Sequence, residues 1–184
     1  IKNLIAFEGR NDINRKIYVL DRSTGEITAV TSGSFDIRPS WSPDCSKIVY
    51  LRDIHGQNDI YILDLEKRRE YAIVETPLDE FNASWSPDGS QILFTRVSSD
   101  TNNDGVLNLN DRSDLLIINP DGSGEVGLSY GQYSIFSPSF SSDGKQIVFV
   151  SFQGNPQNQK IYIYSFADAS FRPITEVGSY NHTD

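Results

Sequence analysis

The sequence predicts an all-β fold made of about four copies of a small antiparallel sheet. One observation is a repeated turn: the pattern Ser-Trp-Ser-Pro-Asp-Gly at residues 84–89 recurs with small changes at residues 40–45 and 139–144. A second is the alternating apolar run after each turn, which is typical of a half-buried strand. A third is the even spacing, since 44 residues separate Trp41 from Trp85. Short strands repeated at this period indicate stacked antiparallel sheets.

Each aromatic turn is expected to join two strands. The aromatic residue ends one strand facing a core, proline presets φ for a tight turn, and the Asp-Gly pair closes the turn with a side-chain cap and a positive-φ residue. The carboxylates of Asp44, Asp88 and Asp143 occupy the same place in the three turns. We therefore interpret them as caps of backbone amides and not as a catalytic set.

The strands follow the same order in each unit. The second unit has predicted strands at residues 47–51, 59–64 and 71–74 behind the strand that ends at Trp41. The first unit has counterparts at 4–7, 16–21 and 27–30 but lacks the strand before them. The third and fourth units continue the pattern, with strands at 91–95, 115–119, 146–150, 161–164 and 171–175. No amphipathic helix is predicted anywhere.

A single four-stranded sheet of this size cannot bury both of its faces, and radial stacking of successive sheets solves that problem. The sequence therefore predicts a β-propeller. We expect residues 1–184 to form one propeller-type domain whose units span 1–34 (partial), 35–78, 79–134 and 135–184. The third unit is about eleven residues longer than the others, and an insertion at residues 99–111 accounts for the excess.

These repeats resemble the TolB-like family of propeller repeats, which is related in architecture to WD-repeat propellers. The resemblance covers nearly the whole chain and is carried by an aromatic-Ser-Pro-Asp-Gly turn, an Ile-x-Phe strand and an Ile-Tyr strand, at Trp41, Trp85, Phe140, Ile48, Ile92, Ile147, Ile60-Tyr61 and Ile161-Tyr162. Three places depart from the pattern, namely Cys45, Ser142 and Leu115-Leu116. Most such propellers have more blades than this chain supplies, so the resemblance implies an arc of a larger ring. A strained four-blade ring and a ring completed by two copies are the alternatives.

Composition excludes two classes of partner. The formal net charge is −9 and the basic residues are scattered, whereas nucleic-acid binding needs a clustered basic face. No apolar run approaches the roughly 20 residues that span a bilayer, so membrane insertion is not expected. The short basic run at residues 67–69 is interpreted as a solvated hairpin end.

The patterns of common catalytic sites are absent or out of context. The glycines of residues 122–127 match the spacing of a dinucleotide fingerprint, but no βαβ frame surrounds them. There is no Gly-x-Ser-x-Gly nucleophile elbow, and the histidines are His55 and His182 alone. We therefore predict no catalytic residue, no organic cofactor and no enzymatic activity. His55 beside Asp53 and Asp59 is interpreted as a solvated loop residue.

The inserted segment carries the order of an EF-hand calcium loop in its dockerin variant. Oxygen-bearing side chains fall at positions 1, 3, 5, 9 and 12, and glycine falls at position 6, where the chain must bend. The sequence thus predicts a structural Ca²⁺ site. Its ligands would be Asp100, Asn102, Asp104, the carbonyl of Val106, Asn108 and Asp111.

Two functions fit these features. The first is a non-enzymatic TolB-like module for protein–protein interaction, which would bind a protein or peptide partner and hold a structural calcium ion. The alternative is the gating propeller of a prolyl-oligopeptidase-like or tricorn-like protease whose catalytic domain lies outside this chain. The resemblance and the calcium loop favour a periplasmic or extracellular location. Open blade edges would promote self-association.

Overall fold

The computed structural model describes residues 3–11, 13–107, 111–152 and 159–175, and within these residues it contains only β-strands and connecting turns. The strands are β1 (Leu4–Arg10), β2 (Arg15–Asp21), β3 (Ile27–Ala29), β4 (Asp36–Trp41), β5 (Lys47–Ile54), β6 (Gln57–Asp64), β7 (Arg69–Val74), β8 (Asp79–Trp85), β9 (Ile92–Val97), β10 (Asp114–Ile118), β11 (Val126–Gly127), β12 (Ser134–Phe140), β13 (Gln146–Phe152), β14 (Gln159–Ser165) and β15 (Ser170–Pro173). The predicted all-β fold is confirmed.

The strands form four antiparallel sheets, each from consecutive strands. Sheet 1 has the order β1-β2-β3, sheet 2 the order β4-β5-β6-β7, sheet 3 the order β8-β9-β10-β11 and sheet 4 the order β12-β13-β14-β15. Among the described strands, sheet 1 has no counterpart of β4, β8 and β12, as the repeat pattern predicted. Because each strand pairs with its neighbour in sequence, short turns suffice to connect them.

The sheets stack in chain order. Strand β4 contacts β1 and β2 of the sheet before it, β8 contacts β4, β5 and β6, and β12 contacts β8, β9 and β10. Within the described residues, no strand of sheet 1 contacts a strand of sheet 4. The four sheets therefore form an open arc, and the strained four-blade ring is excluded for this part of the chain.

Alternate residues of β5 face opposite neighbouring sheets. In β5, Ile48 and Tyr50 belong to the core shared with sheet 1, whereas Val49 and Leu51 belong to the core shared with sheet 3. All four side chains are fully buried. This two-sided burial explains why the run has no polar face, since sheet 2 is covered on one side by sheet 1 and on the other by sheet 3.

The aromatic turns are built as the sequence predicts. The Oδ1 atoms of Asp44, Asp88 and Asp143 accept the amide protons of residues 46, 90 and 145 at 3.0, 3.0 and 3.1 Å. They also accept hydroxyl protons from the turn serines, and these bonds lower the pKa of Asp44 and Asp88 to about 2. The interpretation of these carboxylates as caps is confirmed.

A bulge interrupts the first strand of sheets 2, 3 and 4 at the same place. The register shifts between Ile37 and Ser40 in β4, and β8 and β12 shift at the equivalent positions. Each bulge holds a non-glycine residue at positive φ: Arg38 at 54°, Asn82 at 57° and Ser137 at 48°. Arg38 Nη1 donates to Asn82 Oδ1 at 3.0 Å, which links the bulges of sheets 2 and 3.

Sheets 2 and 3 each hold an arginine between two carboxylates. In the sheet 2 triad, Arg52 Nε lies 2.7 Å from Asp36 Oδ1, and Arg52 Nη2 also bonds Glu70. In the sheet 3 triad, Arg96 Nε lies 2.7 Å from Glu80 Oε1, and Arg96 makes a two-pronged contact with Glu125 at 2.7 and 2.9 Å. Asp36 and Glu80 are fully buried, so each arginine contacts a carboxyl group that water does not reach.

Sheet 4 replaces this triad with apolar packing. Ile135 and Ser151 pair across β12 and β13, and Phe171 pairs with Tyr164 in the outer strands. The Phe171 ring lies 4.8 Å from the Tyr164 ring and 5.9 Å from the Phe149 ring. An aromatic cluster therefore occupies the place that ion pairs hold in sheets 2 and 3.

Candidate functional site

The inserted loop connects β9 to β10 at one end of sheet 3. In sheet 2, the equivalent connection between β5 and β6 is only the turn of His55 and Gly56. Strand pairing resumes directly after the insertion, with Asp114 opposite Arg96. Of the predicted calcium ligands, Asn108 lies outside the described residues. The other five lie within them, on the two described stretches of the loop.

The first half of the loop wraps around side-chain oxygens. Asp100 accepts the amide protons of Asp104 and Gly105 at 3.2 and 2.8 Å. Asn102 Oδ1 accepts from Asp104 N at 2.9 Å, and Asp104 Oδ1 accepts from Val106 N at 2.9 Å. The bend requires a φ of 82° at Gly105, which glycine adopts without strain. The backbone thereby brings three oxygen-bearing side chains to one short segment.

Asp111 closes the loop onto its own beginning. Its side chain is almost fully buried, and Oδ1 accepts the amide protons of Thr101 and Asn102 at 2.8 and 3.3 Å. Arg112 N donates in return to Thr101 Oγ1 at 2.9 Å. Asp111 thus joins the two described ends of the insertion through backbone contacts, which the spacing of the motif alone did not reveal.

The loop is fastened to the neighbouring connection between β11 and β12. The Asp114 carboxylate accepts hydrogen bonds from Ser98 Oγ and Gly131 N. Ser113 Oγ accepts from Ile135 N at 3.0 Å. Leu107, the apolar residue at position 8 of the calcium-loop motif, is 41% exposed and belongs to none of the buried clusters. The anchoring therefore comes from polar contacts at the base of the loop.

Among the described residues, no set of three or more histidine, cysteine, aspartate or glutamate side chains is arranged as a metal site. The described oxygen donors of the loop include the amide of Asn102 beside the carboxylates of Asp100 and Asp104. An all-oxygen set of this kind matches the preference of Ca²⁺. The residue types therefore fit a hard cation.

His55, Asp53 and Asp59 do not come together as a set of metal ligands in the described part of the chain. His55 occupies a turn at φ 60°, and Asp53 Oδ1 accepts from Gly56 N at 2.8 Å within that turn. Asp59 is buried, its pKa is raised by that burial, and it accepts from Thr76 N at 3.2 Å. Each of the two carboxylates thus has its own structural partner. His182 lies outside the described residues.

The arc of three- and four-stranded sheets and the repeated turn agree with the match to one family model. Residues 2–102 match the family model of the TolB beta propeller domain. The chain belongs to the TolB β-propeller domain family. No curated protein matches the sequence. Within the described residues, no helix has the length and apolar character needed to cross a bilayer.

Solved TolB structures share this fold. A putative TolB from Agrobacterium tumefaciens matches with a TM-score of 0.77 at 20% identity, over 95% of this chain and 61% of that chain. TolB from Acinetobacter baumannii matches with a TM-score of 0.68 at 21% identity, over 95% of this chain and 41% of that chain. The TolB-like chain described here thus spans less than two thirds of either protein.

A solved protease structure is also similar in fold. The tricorn protease matches with a TM-score of 0.68 at 13% identity, over 90% of this chain and 17% of that chain. At this level of identity, the similarity shows the fold alone.

Proposed function

We propose that this TolB-like chain is a non-enzymatic module for protein–protein interaction that carries a structural calcium-binding loop. The observation that carries the proposal is the inserted loop, whose side-chain oxygens gather on one short segment of an otherwise regular propeller sheet. The family match supports the interaction role over the protease alternative.

The proposed calcium site uses the loop residues in separate roles. Asp100, Asn102 and Asp104 would supply side-chain oxygens, Val106 its carbonyl, and Asn108 an amide oxygen. Asp111 would add its carboxylate while its Oδ1 holds the start of the loop. A bound calcium ion would offset the repulsion between carboxylates. The loop would then be ordered by the ion, and the role of the metal is structural.

Calorimetric titration of the protein with CaCl₂, and separately with MgCl₂, tests the site. We expect saturable binding of calcium, weaker binding of magnesium, and at least a tenfold loss of calcium affinity in Asp104→Ala. Asp121→Ala is the matched control, since Asp121 is an exposed aspartate that caps Ser123 N at 2.9 Å in another turn. No calcium heat in the wild type, or equal affinity in Asp104→Ala, contradicts the site.

The interaction role is tested on the full-length protein that contains this chain. A downstream α/β domain with a nucleophile elbow, together with peptidase activity, would favour the gating propeller of a protease. The module hypothesis predicts that no such domain is attached, and that the isolated propeller retains the binding partner of the full protein. Co-purification of the partner with and without the propeller measures this directly.

We also propose a periplasmic or extracellular location, which the family membership supports and which fits a site that requires abundant calcium. Self-association is a further part of the proposal. Strand β1 has a partner only in β2 among the described strands, and Ile5 on β1 is 45% exposed. An unpaired edge of this kind favours pairing with another chain. Cell fractionation tests the location, and light scattering across a concentration series tests the association.

A further inference from the structure

The arc ends in two apolar sheet faces, and no described strand lies against either of them. The sheet 1 end face is the side of β1 and β2 that points away from sheet 2, and its residues are Ile5, Phe7, Tyr18 and Leu20. The sheet 4 end face is the side of β13 and β14 that points away from sheet 3, and its residues are Val148, Val150, Ile161 and Ile163. Ile5 is 45% exposed and Val148 is 37% exposed. Contiguous exposed apolar surface of this kind marks a place where another molecule packs.

The sheet 1 end face repeats one half of the interface between sheets 2 and 3. To the core of that interface, sheet 3 contributes the buried side chains of Ile92, Phe94, Leu116 and Ile118. The repeat places Ile5 and Phe7 at the positions that Ile92 and Phe94 occupy in sheet 3. In both sheets, the isoleucine and the phenylalanine each lie opposite a large apolar residue on the next strand. The sheet 1 end face therefore has the residue pattern of a face that a neighbouring sheet covers.

The sheet 4 end face repeats the other half of the same interface. To the core shared with sheet 3, sheet 2 contributes the fully buried side chains of Val49, Leu51, Ile60 and Ile62. Val49 lies opposite Ile62, and at the equivalent place in sheet 4 Val148 lies opposite Ile163. The two end faces thus carry, one at each end of the arc, the two apolar surfaces that pack together between sheets 2 and 3.

We propose that a second copy of this chain covers both end faces. The sheet 4 end face of each copy packs against the sheet 1 end face of the other, so that two arcs close one ring. Two copies of the four-sheet arc bring eight sheets, and propellers close with roughly four to eight blades. The inference rests on the proposed self-association and gives it a surface, a partner and a stoichiometry.

The order of the faces determines how the copies meet. Each contact inside the arc joins two unlike faces of neighbouring sheets. Packing the sheet 4 end face on the sheet 1 end face keeps this order, whereas pairing two identical end faces breaks it. Such a contact between unlike surfaces forms a closed ring when the rotation between copies allows closure. It uses β1 and β2 through their side chains, so it can be tested separately from backbone pairing at the β1 edge.

Sedimentation equilibrium of the protein across a concentration series tests the pairing. We expect a dimer in the wild type. Val148→Lys and Ile5→Lys each place a charge on one end face, and each should raise the dimer dissociation constant at least tenfold, because both junctions of the ring then contain a lysine. Tyr130→Lys is the matched control, since Tyr130 is 75% exposed and lies outside both end faces. Circular dichroism checks that each variant is folded.

An equimolar mixture of the two face variants tests the order of the faces. A mixed dimer has one junction in which both faces are wild type, so mixing should restore dimers at concentrations where each variant alone is monomeric. Dissociation by only one of the two variants, or no recovery on mixing, would mean that like faces pair and would overturn the inference. A mass that keeps rising beyond two copies would reject the closed ring.

The remaining outcomes separate this inference from the proposed self-association. Dimers that persist unchanged in Val148→Lys and Ile5→Lys would reject the end faces and leave pairing at the β1 edge standing. A wild-type protein that stays monomeric at every concentration would reject both modes of association. Neither result bears on calcium binding, which the calorimetric titration tests independently.

Discussion

Sheets 2 and 4 have the same strand order and the same bulge. At one equivalent position, however, sheet 2 has charged side chains and sheet 4 has apolar ones. Sheet 2 holds Arg52 between Asp36 and Glu70, with the guanidinium 4.6 Å from the Tyr61 ring centre. Sheet 4 holds Phe171 against the Tyr133 and Tyr164 rings, at 5.2 and 4.8 Å. In both sheets the space between these strands is filled by side chains. Sheet 2 fills it with paired ionic groups and sheet 4 fills it with aromatic rings, so two different chemistries stabilise the same propeller sheet.

The ionic arrangement of sheet 2 should lose the most stability when one of its charged residues is removed. Arg52→Ala leaves the buried Asp36 carboxylate without its cation, so we expect a loss of about 3–5 kcal/mol in the free energy of unfolding. Urea denaturation measures it. Arg68→Ala, a change of the same charge at an exposed turn position, should stay within about 0.5 kcal/mol of wild type. Similar losses in both variants would contradict a special role for the triad.

A fourfold variant that carries the sheet 4 residues in sheet 2 compares the stability of the two arrangements directly. Asp36→Ile, Tyr50→Phe, Arg52→Ser and Glu70→Phe together place the sheet 4 residues at the sheet 2 positions. Replacing a whole buried ion group by apolar residues is often neutral, so the graft should recover at least half of the stability that Arg52→Ala loses. A graft less stable than the single variant would show that the surroundings of each sheet are specialised.

The sheet 3 triad adds a dependence on pH that sheet 4 lacks. Burial raises the pKa of Glu80 to about 7 and outweighs the Arg96 guanidinium. Because the folded pKa lies above the unfolded one, this stabilisation is complete below about pH 4.5 and is lost as the pH rises through 7. We expect the free energy of unfolding to fall by about 2 kcal/mol between pH 5 and pH 8. Urea denaturation across this range should show the decline in wild type and in the control Glu66→Gln, and a flat profile in Glu80→Gln. A decline that persists in Glu80→Gln would exclude Glu80 as its source.

The apolar packing in sheet 4 leaves one buried hydroxyl group without a hydrogen bond among the described residues. Ser151 stands where sheets 2 and 3 have arginine, and its buried Oγ has no hydrogen-bond partner among the described residues. Ser151→Ala removes that unsatisfied hydroxyl and should raise the free energy of unfolding by about 1 kcal/mol. Ser139→Ala, at an exposed position of the same sheet, should leave thermal unfolding unchanged. A loss of stability in Ser151→Ala would show that the hydroxyl has a role.

The smallest effect concerns the aromatic turns. Cys45 has a φ of 59°, whereas Gly89 and Gly144 supply 74° and 71° in the sister turns. Because glycine adopts this region without a Cβ clash, Cys45→Gly should stabilise the protein by about 0.5 kcal/mol. Calorimetric melting resolves such a change, and a lower melting temperature would contradict the assignment of strain to this turn. Gly144→Ala is the reciprocal control and should destabilise sheet 4.

Sequence reasoning predicted the repeats, the strand order and the missing strand of sheet 1, because the aromatic turn marks each unit. It did not predict the bulges, since Arg38, Asn82 and Ser137 share no residue type that would mark a positive φ at this place in the repeat. It also missed the ion triads, whose members lie far apart in sequence. A signal existed, because the acid precedes the arginine by the same interval in Asp36–Arg52 and Glu80–Arg96.

The candidate site was predicted in part. The loop and its oxygen-bearing residues followed from their spacing, and calcium binding there stays a prediction. The contacts of Asp111 and Asp114 with backbone amides were not foreseen, because they depend on where the loop meets the connection between β11 and β12. The exposure of Leu107 could not be predicted for the same reason, because the spacing shows which residue is apolar but not whether a neighbour covers it.

The insertion leaves the pairing of β9 with β10 undisturbed, since Asp114 and Leu115 stay in register with Arg96 and Thr95. Removal of the loop should therefore change little in the strand pairing of sheet 3. A chain in which residues 99–111 are replaced by a short glycine-containing turn should keep its four sheets, because the entropy of closing a loop changes slowly with its length. The same junction would accept a foreign segment, so the arc offers a place where new binding loops can be installed without redesigning a blade.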